Sequence, residues 1–409
     1  MNFPLALDAM IAWRNIWRQR RRTFAVLLAI AAGVIAMMMT GGFVEWMIWA
    51  LRESTIHSQV SHLQVARQGF QIEGRADPRA FLLPDDAIPA AVTDDPAIKV
   101  LSPRLVLSGL ISHGEETIPF IGEALNIDKE ADQLFGMVIE AGEAMAPGDE
   151  ERVWLGRGLA KALDAPIGEP VVLVLQSAGG GVRAVEARFA GVFSTISKAY
   201  DDNAIRMPVG LARELMGESA NSYWVAYLND TDDTDAAIER LTPTLKNAGL
   251  EVTPWYRLAD YYTKTETLLR KQLSVVSIIV LMVVLLSVSN TVAMSVMERT
   301  SEIGTSMAIG RTRGQVLVGF LLEGAMLGVV GSAIGVLAGI VLALIVSSIG
   351  IPMPPPPGMS RGYVGEIRLD GLQMLNAAVL VTLVGLAGAV FPAIKAARSN
   401  IVDALRQGR

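Results

Sequence analysis

Four stretches of this sequence are apolar for about 20 residues or more, the length a helix needs to cross a bilayer. They are Thr23–Trp49, Val275–Met297, a run within Val316–Ile349, and Leu372–Ile394. This constrains the fold more than any other feature, because in lipid every backbone polar group must be satisfied inside its own helix. Between the first two stretches lie over two hundred mostly polar residues, enough to bury a core of their own. The expected organisation is an interfacial helix over 1–22, spans at 23–51, 273–297, 316–349 and 372–394, and a large domain over 52–272. A short loop (298–315), an outer Pro-rich loop (350–371) and a tail (395–409) complete it. The fold class is therefore an α-helical membrane protein with four transmembrane helices plus a large extracytoplasmic α+β domain. A mean hydropathy of +0.40 and 19% charged residues agree with this, since soluble domains run nearer about 25% charged.

Charge placement sets the orientation. The N-terminal segment holds Arg14, Arg18, Arg20, Arg21 and Arg22, the loop after span two holds Arg299, Arg311 and Arg313, and the tail holds Lys395, Arg398, Arg406 and Arg409. The loop between spans three and four has only Arg361 and Arg368. Short basic loops stay in the cytoplasm, so both termini and residues 298–315 are expected inside and the large domain outside. That domain (52–271) carries 21 Lys and Arg against 33 Asp and Glu, a net −12, whereas the remainder carries 14 against 8, a net +6. An acidic exterior over a basic membrane base argues against nucleic acid as a partner. The first apolar run is about twice the usual 7–15-residue core of a signal peptide and lacks a small-x-small cleavage site, so it reads as an anchor.

Leu5, Ala9, Ala12 and Ile16 share one helical face, with Trp13 and Trp17 suited to the headgroup level, which fits either an interfacial helix or the start of span one. Trp46 and Trp49 mark the outer end of span one, and Leu51–His57 can carry that helix onward as a stalk. Leu258–Lys271 contains no Pro or Gly and leads into span two.

Within the domain, two segments read as matching βαβ pieces. The first is Val60–Arg67 (strand), Pro84–Val92 (short helix) and Ile98–Leu107 (strand); the second is Ser222–Leu228, Asp232–Ala248 and Leu250–Pro254. Ala236, Ile238 (or Ala237), Leu241 and Leu245 give the second helix its apolar face, and Thr231–Asp235 supplies caps and first-turn acids. Between the pieces, about 108–204, short strands dominate, and Ser177–Gly181 is a Gly-rich hairpin signal between Pro170–Gln176 and Val182–Val192. The domain is thus expected to be a split βαβ subdomain with a β-rich insertion. Pro354–Pro357 should be a stiff polyproline spacer.

Enzymatic chemistry finds little to work with. The chain has no cysteine and three histidines, His57, His62 and His113. His57 and His62 lack a carboxylate at ligand spacing, so no metal site is expected. No GxxxxGK[ST] stretch or Gly-Lys pair occurs, so this chain is expected to bind no ATP or Mg itself and to be non-catalytic. Paired acids such as Glu115–Glu116 and Asp201–Asp202 read as solvated loop charges.

The loop Met297–Arg313 is charged at its start and apolar in its middle. Ile303, Met307 and Ala308 fall on one helical face, and Gly310 offers a left-handed end. Such a surface helix can dock into a groove of a cytoplasmic partner, or it is a connecting turn. On span three, Gly324, Gly328, Gly331, Gly335 and Gly339 form small-xxx-small rows, suited to packing within the chain or to a dimer seam. Glu323 is an acid inside the membrane, which requires a partner on a neighbouring helix or another chain. Glu45, near the outer interface, can reach water.

The same loop resembles the E-R-T-x-E-I-G-x-x-x-A-x-G stretch of the ABC-transporter permease family that contains FtsX, MacB and the lipoprotein-releasing LolC/LolE proteins. The matching residues are Glu298, Arg299, Thr300, Glu302, Ile303, Gly304, Ala308 and Gly310. Trp13–Thr23 resembles the family's basic lead into span one, and Pro392–Arg406 its closing segment, with Asn400 where a proline is common. Arg157–Ala160 followed by Gly168 is similar to its outer domain. Ser61-His-Leu-Gln-Val65 with Gly69-Phe70 resembles the G-H-L-Q-V…G-[YF] start of the lipoprotein-releasing branch, with Ser61 in place of glycine.

This resemblance implies a permease of the bacterial inner membrane working by mechanotransmission. A second permease chain, identical or paralogous, would pair with it. A cytoplasmic ABC ATPase dimer, holding ATP and Mg, would engage a coupling helix at about Glu298–Gly310, including Met307. The expected cargo is a lipoprotein or another amphiphile, with a periplasmic carrier or adaptor as a further partner. An FtsX-like signal transmitter controlling an extracytoplasmic hydrolase, and a MacB-like tripartite exporter, are the alternatives.

Overall fold

The computed structural model describes residues 10, 12–14, 18, 20–74, 78–176, 181–354 and 362–398. Most of the expected interfacial helix, residues 177–180 of the Gly-rich turn, 355–357 of the proline run and the tail beyond Arg398 lie outside the described residues. The chain forms two units: Trp49–Thr265 builds a domain, and the apolar part of the first helix joins Glu266–Pro352 and the segment from Val364 in a helical bundle. Helix α1 (Arg20–Thr55) contains no proline and no Asp or Glu in its first turn. It passes into a π-helical turn, Ile56–Val60, that ends at Ser61.

In the domain, β1 (Leu63–Arg67), β2 (Ile98–His113), β3 (Glu116–Leu125), β4 (Val138–Gly142) and β5 (Arg152–Gly156) lead into helix α2 (Arg157–Leu163). Strands β6 (Pro170–Gln176), β7 (Val182–Ser194) and β8 (Ala204–Pro208) precede helix α3 (Val209–Met216), β9 (Tyr223–Leu228), helix α4 (Thr234–Asn247) and β10 (Leu250–Pro254). The sheet order is β10-β1-β9-β2-β3-β8-β5-β7-β4, and β6 bridges β2 and β7. The two βαβ pieces interleave. β1 runs antiparallel to both β10 and β9, and β9 runs antiparallel to β2, so each piece places one strand between the two strands of the other. β2 continues past β9 into the insertion, where its outer half pairs with β3 and β6. Since β6 also pairs β7, the strands β2-β3-β8-β5-β7-β6 close into a ring.

Two of the domain's apolar clusters pack against its helices. Alternate residues of the ring, among them Leu105, Phe120, Val153, Leu173, Phe189 and Ile205, bury against Leu159, Leu211 and Leu215 of α2 and α3. Leu63, Val65, Trp224 and Ala226 bury against Ala237, Leu241 and Leu245 of α4. The buried alanine of α4 is Ala237; Ala236 is exposed. The helix expected over Pro84–Val92 is a single turn, Ala90–Thr93, because Pro89 can only start a helix and Asp95-Pro96 ends one. The carboxylate the sequence failed to place near His57 is Glu53, one helical turn earlier, 3.7 Å from its Nε2. Both imidazoles have structural partners: His57 Nδ1 lies 2.8 Å from the Gln133 carbonyl, and His62 accepts from the Leu228 N–H and meets Thr231 Oγ1 at 3.0 Å.

The domain also buries charge. Arg104 reaches Glu123 at 2.7 Å and Glu130 at 2.6 Å, Arg206 meets Glu123, and Tyr223 donates to Glu123 at 2.5 Å. Burial alone would raise the Glu123 carboxyl, but Arg206, Arg104 and the Tyr223 hydroxyl outweigh it and pull it down to about 2. A depressed carboxylate stabilises the fold above its ordinary range and loses that contribution as pH falls. Amide protection around β3 should therefore hold down to about pH 4.5 and fall progressively between there and about 2, as read by hydrogen exchange across an acid series.

Ser61 is fully buried with φ 57° and ψ −179°, a conformation that glycine alone adopts freely and that costs another residue about 1–3 kcal/mol. Its hydroxyl donates to the carbonyls of Val60 and Leu63. Ser61→Ala removes those bonds and keeps the strain, whereas Ser61→Gly removes both. Thermal melts of the full chain should show Ser61→Gly more stable than Ser61→Ala by about 1 kcal/mol, reversing the usual order at a regular position.

In the second unit, helix α5 (Asp260–Glu298) is followed by α6 (Thr300–Ala308), α7 (Arg313–Ile349) and α8 (Gly371–Ala397). Helices α1, α5, α7 and α8 are each long and apolar enough to cross a membrane. The glycine rows of α7 are filled from within this chain. A Cβ on Gly331, Gly335 or Gly339 would fall 2.6 to 2.9 Å from Ile30, Val34 and Met38 of α1. One on Gly324 or Gly328 would fall 2.5 Å from Ala389 or 3.0 Å from Thr382 of α8.

Candidate coupling site

The loop after α5 is built around two breaks in helical geometry. Arg299 leaves helical geometry (φ −106°, ψ 15°), separating α5 from α6. Gly310, with φ 109°, lets the chain turn back, and Thr312 and Gln315 form a reciprocal capping box that starts α7. The helix expected over Glu298–Gly310 is thus shorter: Glu298 still belongs to α5, and α6 ends at Ala308, two residues before the left-handed Gly310.

The direction in which α6 points its apolar residues is different from that expectation. Ile303 and Met307 are 7% and 9% exposed and belong to the core of the bundle, together with Val316 and Phe320. Gly304 is buried as well. They anchor the helix and cannot form the ridge offered to a partner. The exposed face carries Glu302, Thr305, Ala308 and Gly310, with Ile309 at 83% exposure. The sequence misjudged this because Ile303 and Met307 match an outward stripe as well as an inward one, and only the neighbouring helices decide between them.

Ion pairs tie the start of this segment to the bundle. Arg299 donates to Glu323 at 2.9 Å and lies over the Phe320 ring at 5.8 Å, so the intramembrane acid has a partner in its own chain. Arg22 grips Glu298 with two hydrogen bonds of 3.0 and 2.7 Å. Arg18 and Arg299 both donate to Glu302. Burial would raise the Glu302 carboxyl, but hydrogen bonds from the two arginines hold it below its ordinary range. Arg18 and Glu302 are well exposed, so that pair adds little stability. Arg299, Glu302, Ile303, Phe320 and Glu323 line a small cavity of about 130 Å³. Arg18 and Arg22 entered the sequence reading only as markers of orientation; nothing in spacing could pair them with acids 276 or more residues away. At the other end of the bundle, Glu45 pairs with Arg270 at 2.9 Å.

Residues 274–401 match the FtsX-like permease C-terminal family, and residues 23–244 match the MacB-like periplasmic core domain. The chain belongs to the MacB-like periplasmic core domain family. Its permease half is FtsX-like, and together with four apolar helices this makes it a multi-pass membrane protein with a periplasmic-type domain. It is 28% identical over 411 residues to the pyoverdine export ATP-binding/permease protein PvdT of Pseudomonas fluorescens, covering 96% of this chain and 58% of that one. It is 24% identical over 412 residues to the macrolide export ATP-binding/permease protein MacB 1 of Yersinia pestis, covering 97% and 60%. The periplasmic region of MacB from Actinobacillus actinomycetemcomitans aligns with 51% of this chain and 94% of that one, at 14% identity and a TM-score of 0.37. The chain thus spans about three fifths of the length of these two curated relatives.

The Arg299–Glu323 contact makes a specific claim about this MacB/FtsX-type chain. Removing one member of a buried ion pair strands the other and costs about 3–5 kcal/mol, whereas replacing both with apolar residues is often neutral. Arg299→Met alone should therefore lower the detergent melting temperature more than the Arg299→Met/Glu323→Met pair does.

Proposed function

We propose that the chain is the non-catalytic membrane subunit of an ABC transporter, in which a cytoplasmic ATPase drives motion of the periplasmic domain through α6 and the helices joined to it. The observation that carries this reading is the two-sided build of α6. One side is locked into the bundle by Ile303, Met307 and the Arg299–Glu323 pair, and the other presents Thr305, Ala308 and Ile309 with no cover from the described residues. A helix held on one side and bare on the other can pass a push without being pulled loose. The arginines of the N-terminal segment and of residues 298–315 support a cytoplasmic location for both termini and for α6. The names of the relatives, pyoverdine and macrolide export, support an amphiphilic cargo. Release of a lipoprotein, with a second permease and a periplasmic carrier or adaptor, is the narrower form of the same reading.

The test uses exposed positions, so that folding is not at stake. Ile309→Glu and Ala308→Trp should weaken co-purification with the ATPase at least tenfold, about 1.4 kcal/mol, and abolish cargo-stimulated ATP hydrolysis while leaving the melting temperature unchanged. Ile303→Ala is a poor probe, because it empties a core position. Full ATPase binding and stimulation in both surface variants would overturn the assignment of this face. Reconstituted vesicles offered a macrolide, a siderophore or a lipopeptide then separate the cargo classes.

A further inference from the structure

The place where α1 ends inside the domain is unusually constrained. The last carbonyls of a helix normally lack partners within the helix. Here the Ser58 carbonyl accepts from Arg206 Nη2 at 2.9 Å and the Gln59 carbonyl from Arg104 Nη1 at 3.2 Å. Both arginines are fully buried. Arg104 sits in β2 and is held by Glu123 of β3 and Glu130, with Tyr227 of β9 at 2.9 Å and Ser102 on the second oxygen of Glu130. Arg206 sits in β8 against Glu123, with the Tyr200 ring 5.5 Å away. Two backbone carbonyls of one turn are therefore tied to the strands β2, β3, β8 and β9.

Stability alone does not account for this arrangement, since apolar side chains usually fill such a space as well as a buried ionic cluster does. What the cluster supplies is direction: rigid guanidinium forks that fix where two carbonyls lie. Local cost gathers in the same place. Ser61 has the strained φ of 57°. The buried Ser58 and Ser194 hydroxyls and the Arg206 Nε have no hydrogen-bond partner among the described residues. Strain and unmet polar groups in and beside a turn persist only where the surrounding structure over-determines its geometry.

We propose that residues 56–61 are a joint through which movement of α1 reaches the sheet, and that Arg104 and Arg206 are positioning residues that set the joint's resting geometry. The proposal rests on the transport reading above. It does not require either arginine to touch cargo or ATPase.

The test uses the full chain with its ATPase in nanodiscs. Hydrogen exchange of peptides covering 56–63 is followed with and without ATP, for the wild type, for Arg206→Lys, and for Arg104→Met/Glu130→Met, which removes a neutral pair and leaves Arg206–Glu123 in place. The expected result is an ATP-dependent change at 56–63 in the wild type. In both variants protection there should be at least tenfold lower and cargo transport at least tenfold lower, with ATPase binding, basal hydrolysis and protection of α4 kept. Unchanged transport despite lost protection at 56–63 would overturn the proposal. So would wild-type transport without any ATP-dependent change in that segment. Absence of ATP-driven transport in the wild type would overturn the underlying reading, and the joint with it.

Discussion

The bundle depends on backbone-to-backbone proximity along α7. Lipid tails are as apolar as leucine, so burying apolar surface gives helices in a membrane little reason to associate; shape and close contact must do it. Gly331, Gly335 and Gly339 bring α7 onto α1, and Gly324 and Gly328 bring it onto α8, so closely that a Cβ at all but Gly328 would fall under 3.0 Å from a neighbour. Because both contacts lie on one helix, α7 is the member against which α1 and α8 are placed. Glu323 sits at the base of this helix, so the ion pair that holds Arg299 inherits its position from the glycine contacts above it.

That dependence explains what the sequence could and could not disclose. The four apolar helices were legible because their lengths exceed any competing use. The glycine rows were legible as packing surfaces, but their partner was not: small-xxx-small spacing states that something approaches closely, and only Ile30, Val34, Met38, Ala389 and Thr382 state what. The same holds for α6. Its apolar content and the turn at Gly310 could be read from the residues, whereas its start could not, since Glu298 still belongs to α5, and neither could the inward direction of Ile303 and Met307, which depends on Val316 and Phe320 across the turn.

In the domain, residue pattern located strands such as Pro170–Gln176 and Leu250–Pro254 to the residue, because a run of strand-forming residues between turn signals leaves a local mark. Interleaving of the two βαβ pieces leaves none, and neither does the charge cluster. Arg104, Glu123, Glu130 and Arg206 are scattered over four elements, and each one alone reads as an ordinary surface charge. Ser61 is a further case. It stands where the resembling stretch has glycine, a departure that carried no structural meaning in the sequence, and the φ of 57° shows what that position asks of the backbone.

The interleaving gives the joint its reach. β1 begins two residues after Ser61 and is paired on both edges, to β10 and to β9. β9 in turn pairs β2, which runs on into the closed ring of the insertion. A displacement entering at residues 56–61 therefore meets the middle of the βαβ subdomain and cannot be absorbed by a free edge. The arginines add a second route, from the same turn to β2 and β8. If the joint were attached through β1 alone, the insertion could lag behind the subdomain. With carbonyls 58 and 59 held by strands of the ring itself, the subdomain and the insertion must answer to the same turn.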